Sequence, residues 1–240
     1  MILINNVSLE PAFVLHTRPY QETSILVDFF TRSYGRLNAI AKGAKRPKSP
    51  LRSVLTPASK LSVSLSGKSE LKTLSSVEII DHFQLNNGVS FNSIIYVNEL
   101  IIKATEKEDP HAVIFDDYEI LLKKLSYQSD QVDLEQNLRN FELNLLQEMG
   151  YGIDLSRDAE TNKKIEKDCI YRFYPDKGFT VDKDKVASQK SLSGLDIINF
   201  RKGNFEKKET RDASKTIMRM ALDFHLGSKT LNIRKYLTKN

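Results

Sequence analysis

At Asn86-Asn87-Gly88 the spacing of the apolar residues changes, and no single type of secondary structure satisfies both sides of that change. On the N-terminal side, short apolar runs bounded by turn residues predict strands at 12–17, 24–30 and 36–41. Leu61-Ser-Val-Ser-Leu alternates apolar and small polar residues, as a strand with one buried face must, and a fifth strand follows at 71–77. Gly35 stands at the turn between the second and third strands. Five strands in so short a span suit a small closed barrel of the OB type, with an SH3-like barrel as the alternative.

On the C-terminal side, Ile94, Val97 and Ile101 recur at helical spacing. A second helix is expected after Pro110, through Tyr118, Leu121, Leu122 and Leu125. A third carries Leu134, Leu138, Phe141, Leu145 and Met149 and stops at Gly150, where a residue free to adopt positive φ can end it. Residues 170–174 and 178–181 read as a hairpin around Pro175-Asp-Lys, inside a polar stretch that is otherwise loop. Further helices are expected near 192–201, 207–226 and 232–238. The class is therefore α+β: an N-terminal five-stranded barrel at 1–80, then a mainly helical domain at 81–240 with a polar irregular insertion near 151–190.

Charge follows the same division. Residues 1–80 carry a net +6, residues 81–160 a net −10 and residues 161–240 a net +9, so two basic regions flank an acidic middle. The densest cluster is 42–52, where Lys42, Lys45, Arg46, Lys48 and Arg52 occur with no acid. Pro47 and Pro50 argue against a helix there, and the charges keep the segment out of a core. A basic loop on a β-scaffold can grip a phosphate backbone; the plain alternative is a solvated loop. On the helix near 207–226, Lys208, Arg211, Lys215 and Arg219 fall within an arc of roughly 80°. Ile217, Met220, Ala221 and Phe224 fall opposite. Lys208–Asp212 and Arg219–Asp223 are also i,i+4 pairs, so part of this row can be ordinary helix ion pairing. Glu135 likewise offers Arg139 a partner one turn away.

Catalytic patterns are missing from the sequence. His16, His82, His111 and His225 lie in different elements, and there is no HExxH, Walker phosphate loop, GxSxG or GxGxxG. The acids Asp109, Asp116, Asp117 and Glu119 read as the solvated face of a helix. A single cysteine, Cys169, leaves no disulfide framework and no Cys-rich zinc site. No cofactor or metal is expected. No apolar run approaches the ~20 residues of a membrane span, and Met1-Ile-Leu-Ile-Asn-Asn lacks the basic start of a signal peptide, so the expected location is a reducing cytoplasm.

Several separated segments carry a resemblance. Ala12-Phe-Val-Leu-His-Thr-Arg-Pro-Tyr-Gln-Glu-Thr-Ser-Ile-Leu-Val-Asp-Phe-Phe-Thr, Gly35-Arg36, Ala41-Lys-Gly-Ala-Lys, Glu70-Leu-Lys-Thr-Leu, Tyr96-Val-Asn-Glu-Leu, Phe141-Glu-Leu, Gly150-Tyr-Gly, Arg219-Met-Ala-Leu and Leu226-Gly-Ser-Lys-Thr-Leu resemble, in order, the RecO family of bacterial DNA repair proteins. The resemblance is weakest across 155–190. It implies an OB-fold followed by a helical domain, without enzymatic activity. It implies binding of single- and double-stranded DNA, annealing of complementary strands, and action with RecR to load RecA onto DNA coated by the single-stranded-DNA-binding protein SSB. Many members carry a four-cysteine zinc finger after Gly-Tyr-Gly; with only Cys169 there, this chain resembles the zinc-free branch. The expected DNA contacts are Arg36, Lys42, Lys45, Arg46, Lys48, Arg52 and Lys72. The family arginine preceding Phe-Glu-Leu, which holds the acidic SSB tail, matches Arg139, with Lys215 and Arg219 added from the basic helix face. The expected state is a nucleoid-associated monomer. The competing classes are a metal-dependent DNA-processing enzyme and a protein adaptor that does not touch DNA.

Overall fold

Leu61, Val63 and Leu65 are buried while the serines between them are half-exposed, so this strand lines a core with one face. It is one of five barrel strands in the computed structural model, which describes residues 6–85, 88–127, 130–182 and 191–227. β1 (Asn6–Tyr20), β2 (Ser24–Thr31), β3 (Gly35–Ala41), β4 (Ser59–Ser66) and β5 (Leu71–His82) close in the order β1-β2-β3-β5-β4, and a short helix, α1 (Leu51–Val54), lies between β3 and β4. β3 and β5 pair in parallel and the other neighbours are antiparallel. This is the expected OB-type barrel. Val14, Val27, Phe29, Leu37, Ala39 and Leu61 are among the side chains that fill it.

β1 runs longer than its apolar segment suggested and is buried on both faces from Ala12 to Leu15. The cause is the pair of helices that follows, α2 (Gly88–Ala104) and α3 (Ala112–Tyr127). On the outside of the barrel, the Phe13 ring lies 4.8 Å from that of Phe115 and 4.9 Å from that of Tyr118. A register shift between Val14 and His16 interrupts the β1 ladder. Asn98 of α2 fills the interruption: its Nδ2 donates to the Leu15 carbonyl at 3.0 Å and the Val14 carbonyl at 3.4 Å, and its Oδ1 accepts from the Tyr118 hydroxyl at 2.6 Å. Burial raises the Tyr118 phenol well above its ordinary value, so it remains a donor.

Two acids read from sequence as solvated also dock α3. Asp116 accepts from Arg32 through both carboxylate oxygens at 2.9 Å, and Glu119 takes Lys60 at 2.6 Å. Asp109 is not on a helix at all; it precedes α3 in the loop that crosses Gly35. A Cβ on Gly35 would stand 2.0 Å from the Asp109 carbonyl oxygen, and Gly35 has φ +67°, so both space and backbone demand glycine. The compact unit that contains the barrel consequently runs through Tyr127, and residue 80 lies inside β5.

A second compact unit spans 128–230. α4 (Gln131–Glu148) starts at Asp130, whose carboxylate accepts from the Val132 N–H, and gives way to Gly150 at φ +82°. The expected hairpin is present as β6 (Ile170–Tyr174) and β7 (Gly178–Val181), joined by a three-residue strand, β8 (Ser191–Ser193), in the order β7-β6-β8. α5 (Gly194–Arg201) and α6 (Lys208–His225) complete the unit. Parts of the expected loop are tightly organised. Asp158 is buried; its Oδ1 accepts from the Glu160 and Thr161 N–H groups and the Thr161 hydroxyl, and its Oδ2 from the Val181 N–H. The helix expected near 232–238 lies outside the described residues.

Candidate nucleic-acid interface

The basic loop is a fixed element. Gly43, at φ +74°, turns the chain so that the next side chain, Ala44, enters the barrel core. Leu51, Val54 and Leu55 pack against the same core from the far end. Between these anchors successive turns are closed by Arg46 N–H to Gly43 O at 3.1 Å and Ser49 N–H to Arg46 O at 3.0 Å. The prolines shape this segment as expected, and helix begins only after Pro50. Lys42, Lys45, Arg46, Lys48 and Arg52 are all exposed. Among the described residues, none of the five is in an ion pair.

Lys45 connects the loop to a neighbour some twenty residues earlier. Its N–H donates to the Thr23 carbonyl at 2.9 Å and its ammonium to the Gln21 carbonyl at 3.0 Å. The turn between β1 and β2 is therefore part of the same surface, and nothing local in the sequence joins these two segments.

Two of the expected contacts are placed elsewhere. Arg36 is buried, with NH1 on Asp28 Oδ2 at 3.1 Å, Nε on the Thr105 hydroxyl at 3.1 Å and NH2 on the Thr105 carbonyl at 2.9 Å. It ties β3 to the end of α2. Burial raises the Asp28 carboxyl above its ordinary value, more than Arg36, Lys107 and His16 lower it. Lys72 is 1% exposed, and its ammonium donates to the Ser69 carbonyl at 2.7 Å. A buried cation needs such acceptors, and holding them keeps both groups from a phosphate in solvent. Arg36 and Lys72 are supports of the barrel, which corrects their reading as surface contacts.

In the second unit, Arg139 bonds Glu142 at 2.7 Å rather than Glu135. Glu135 instead faces Arg211 Nε at 3.4 Å and Gln131 Nε2 at 3.1 Å. The Arg139 Nε is buried with no acceptor among the described residues. Leu138 and Phe141, on the same helix, are buried in the unit as the apolar stripe requires. On α6, Lys215 and Arg219 are exposed, with Arg219 Nε 3.8 Å from Asp223 and Lys208 2.6 Å from Asp212. Arg211 is turned inward onto the Phe205 and Glu206 carbonyls. Ile217 and Ala221 pack as expected, but Phe224 is 56% exposed and Met220 is half-exposed; Met218 and Leu222 take their places in the core. Among the described residues no cluster of His, Cys, Asp and Glu is arranged to hold a metal, and no helix is long and apolar enough to cross a membrane.

Comparison with known proteins covers both units. The family profile described as "Recombination protein O N terminal" matches residues 6–83, and that described as "Recombination protein O C terminal" matches residues 88–234. A "DNA repair protein RecO" of Polynucleobacter asymbioticus is 40% identical over 230 residues, covering 95% of this chain and 94% of that protein. The protein of the same description from Haemophilus influenzae is 38% identical, covering 97% of this chain and 96% of its own length. Another, from Burkholderia pseudomallei, is 38% identical over 95% of this chain and 82% of its own.

Proposed function

This chain belongs to the RecO family, and from that premise we propose that it is a cytoplasmic DNA repair protein that anneals complementary single strands and, with RecR, helps load RecA onto SSB-coated DNA. The observation that carries the reading is the basic loop: exposed cations on a backbone pinned at Ala44 and again at Leu51–Leu55. Annealing opposes two polyanions, and the obstacle is phosphate repulsion. Lysines and arginines lower it by releasing condensed counterions, and a pre-shaped loop does so without first ordering itself. The exposed Lys215 and Arg219 of α6 offer a second cationic surface for the other strand or for an acidic peptide. Nothing in this task requires bond chemistry, so the protein acts by binding.

The same reading assigns the SSB tail to Arg139. Its guanidinium is held by Glu142, which fixes its direction, and the residue remains partly exposed. A carboxylate arriving there gains a charged hydrogen bond.

The deciding experiment is annealing of SSB-coated complementary strands by the purified protein, with and without magnesium and ATP. Annealing without either, lost when Lys42, Arg46 and Lys48 are all changed to Glu, supports the reading. Unchanged annealing by that folded variant overturns the role of the loop. Magnesium-dependent loss of the labelled DNA would establish an enzyme instead.

A further inference from the structure

We infer that the DNA contact of the barrel continues from the basic loop onto the outward face of β1, β2 and β3, where Tyr20 stacks on an unpaired base and Arg18 meets a phosphate. This rests on the reading of the barrel as a DNA-binding element and names the strand form it selects: single-stranded DNA.

Strand register places the residues. Val27 and Ala39 are paired and both point into the barrel core, so the neighbouring pair, Leu26 and Ile40, points outward. Arg18 pairs with Leu26 and Tyr20 with Ser24, which puts Arg18 and Tyr20 on that outward face, two residues apart. Lys42 follows Ile40 by two residues and continues the face into the loop. The Lys45 bonds to Gln21 and Thr23 hold the end of β1 against this loop, so the aromatic ring and the cations belong to one surface.

The chemistry of the face is graded. Toward the far end, His16, Asp28 and Asn38 are aligned across the three strands, and Asp28 is a carboxylate already engaged by Arg36. Toward the loop, Arg18 is exposed and in no ion pair among the described residues, and Tyr20 is half-buried beside it. A polyanion is drawn to the exposed cations at the loop end. Glu22, exposed at the tip of the turn, sets the limit of the cationic zone on the other side. Phosphates of any nucleic acid can reach Arg18 and the loop. Only a strand with unpaired bases can also offer a base face to Tyr20, because a duplex buries its base faces in its own stack.

The test uses the full-length protein with a labelled oligothymidylate and a duplex of equal length. Tyr20→Leu is expected to weaken single-strand binding about tenfold and leave duplex binding unchanged, while Tyr20→Phe retains wild-type affinity for both. Arg18→Gln should lower the salt slope by about one unit on both DNAs. The sequence contains no tryptophan, so Tyr20→Trp makes a single reporter, whose emission should be quenched by the oligothymidylate and not by the duplex. That readout stands even if Tyr20→Leu fails to fold. Wild-type binding of both DNAs, with Tyr20→Leu affecting both equally or neither and no quenching of the reporter, overturns this inference and leaves the proposed function standing. Absence of DNA binding by the wild type overturns both.

Discussion

The barrel unit and the helical unit are both basic at one edge, but they hold their cations in different ways. On the barrel, Lys42, Arg46, Lys48 and Arg52 project from an anchored loop with no acid in its sequence. On α6, Lys208 and Arg219 each have an aspartate one turn on, and Arg211 is turned onto backbone carbonyls. An i,i+4 pair at a helix surface is weak, worth about 0.3–0.5 kcal/mol, yet its carboxylate cancels the net charge that a phosphate would meet there. The contrast teaches that availability of charge, rather than its count, separates a binding surface from a solvated one.

The largest expected effect tests that contrast directly. Changing Lys42, Arg46 and Lys48 together to Glu should reduce the log–log salt slope of DNA binding by about 2 to 3 units, and changing Lys208 and Arg219 should reduce it by less than about one. Fluorescence anisotropy from 50 to 300 mM salt, roughly the range over which counterion release dominates, checks both. Equal slopes for the two variants would break the comparison.

The next effect concerns rigidity. Asn98 joins three bonds at the β1 irregularity, so Asn98→Ala should destabilise the barrel unit by about 2–4 kcal/mol. Hydrogen exchange should show the loss in β1, α2 and α3 and leave α4 and α6 protected. Uniform loss across both units would mean that they do not unfold separately.

Arg139→Ala should weaken binding of an acidic SSB-tail peptide by about 1.5–3 kcal/mol, roughly ten- to a hundredfold, with DNA binding by the barrel retained. Peptide titration by anisotropy measures it, and an unchanged dissociation constant would leave Arg139 as the local partner of Glu142 and transfer the test to Lys215 and Arg219.

The smallest effect is a difference in response to acid. Burial raises the Asp158 carboxyl, but its hydrogen bonds from Thr161, Val181 and Glu160 outweigh burial and hold it below its ordinary 3.8. A depressed carboxylate stabilises the fold above its unfolded value, and that contribution is lost as pH falls through the lower folded value. Asp28, raised by burial, has the opposite sign: its protonated form favours the fold, and the benefit is lost as pH rises through its folded value. Hydrogen exchange near residues 156–165 should therefore accelerate below about pH 4 while the strand carrying Asp28 does not follow. Asp158→Asn should abolish that local pH dependence.

Much of this was legible in the chain. Alternation at Leu61, Val63 and Leu65 marked a barrel strand, and the stripe from Leu134 to Leu145 marked a helix, because each side chain's face follows from the backbone period alone. Gly150 announced the end of α4 for the same local reason. The double burial of Phe13 was not legible, since it depends on Phe115 and Tyr118 arriving from a helix a hundred residues later. β8 is too short to carry a period. Phe224 satisfies the helical spacing but lies at the end of α6, where it stays in solvent.

The sequence by itself determined the division into strands and helices, the dense cations at 42–52 and the family, since all three are properties of residue order. Tertiary structure decided which cations are available. Arg36 and Lys72 look like Lys42 and Arg46 in the sequence, and all four stand in or beside barrel strands. The first two meet Asp28, Thr105 and Ser69 inside the fold, and the other two meet solvent. A charge acts on a partner only where it is not already solvated by the protein, and those acceptors are brought to it by chain segments that the local sequence does not name.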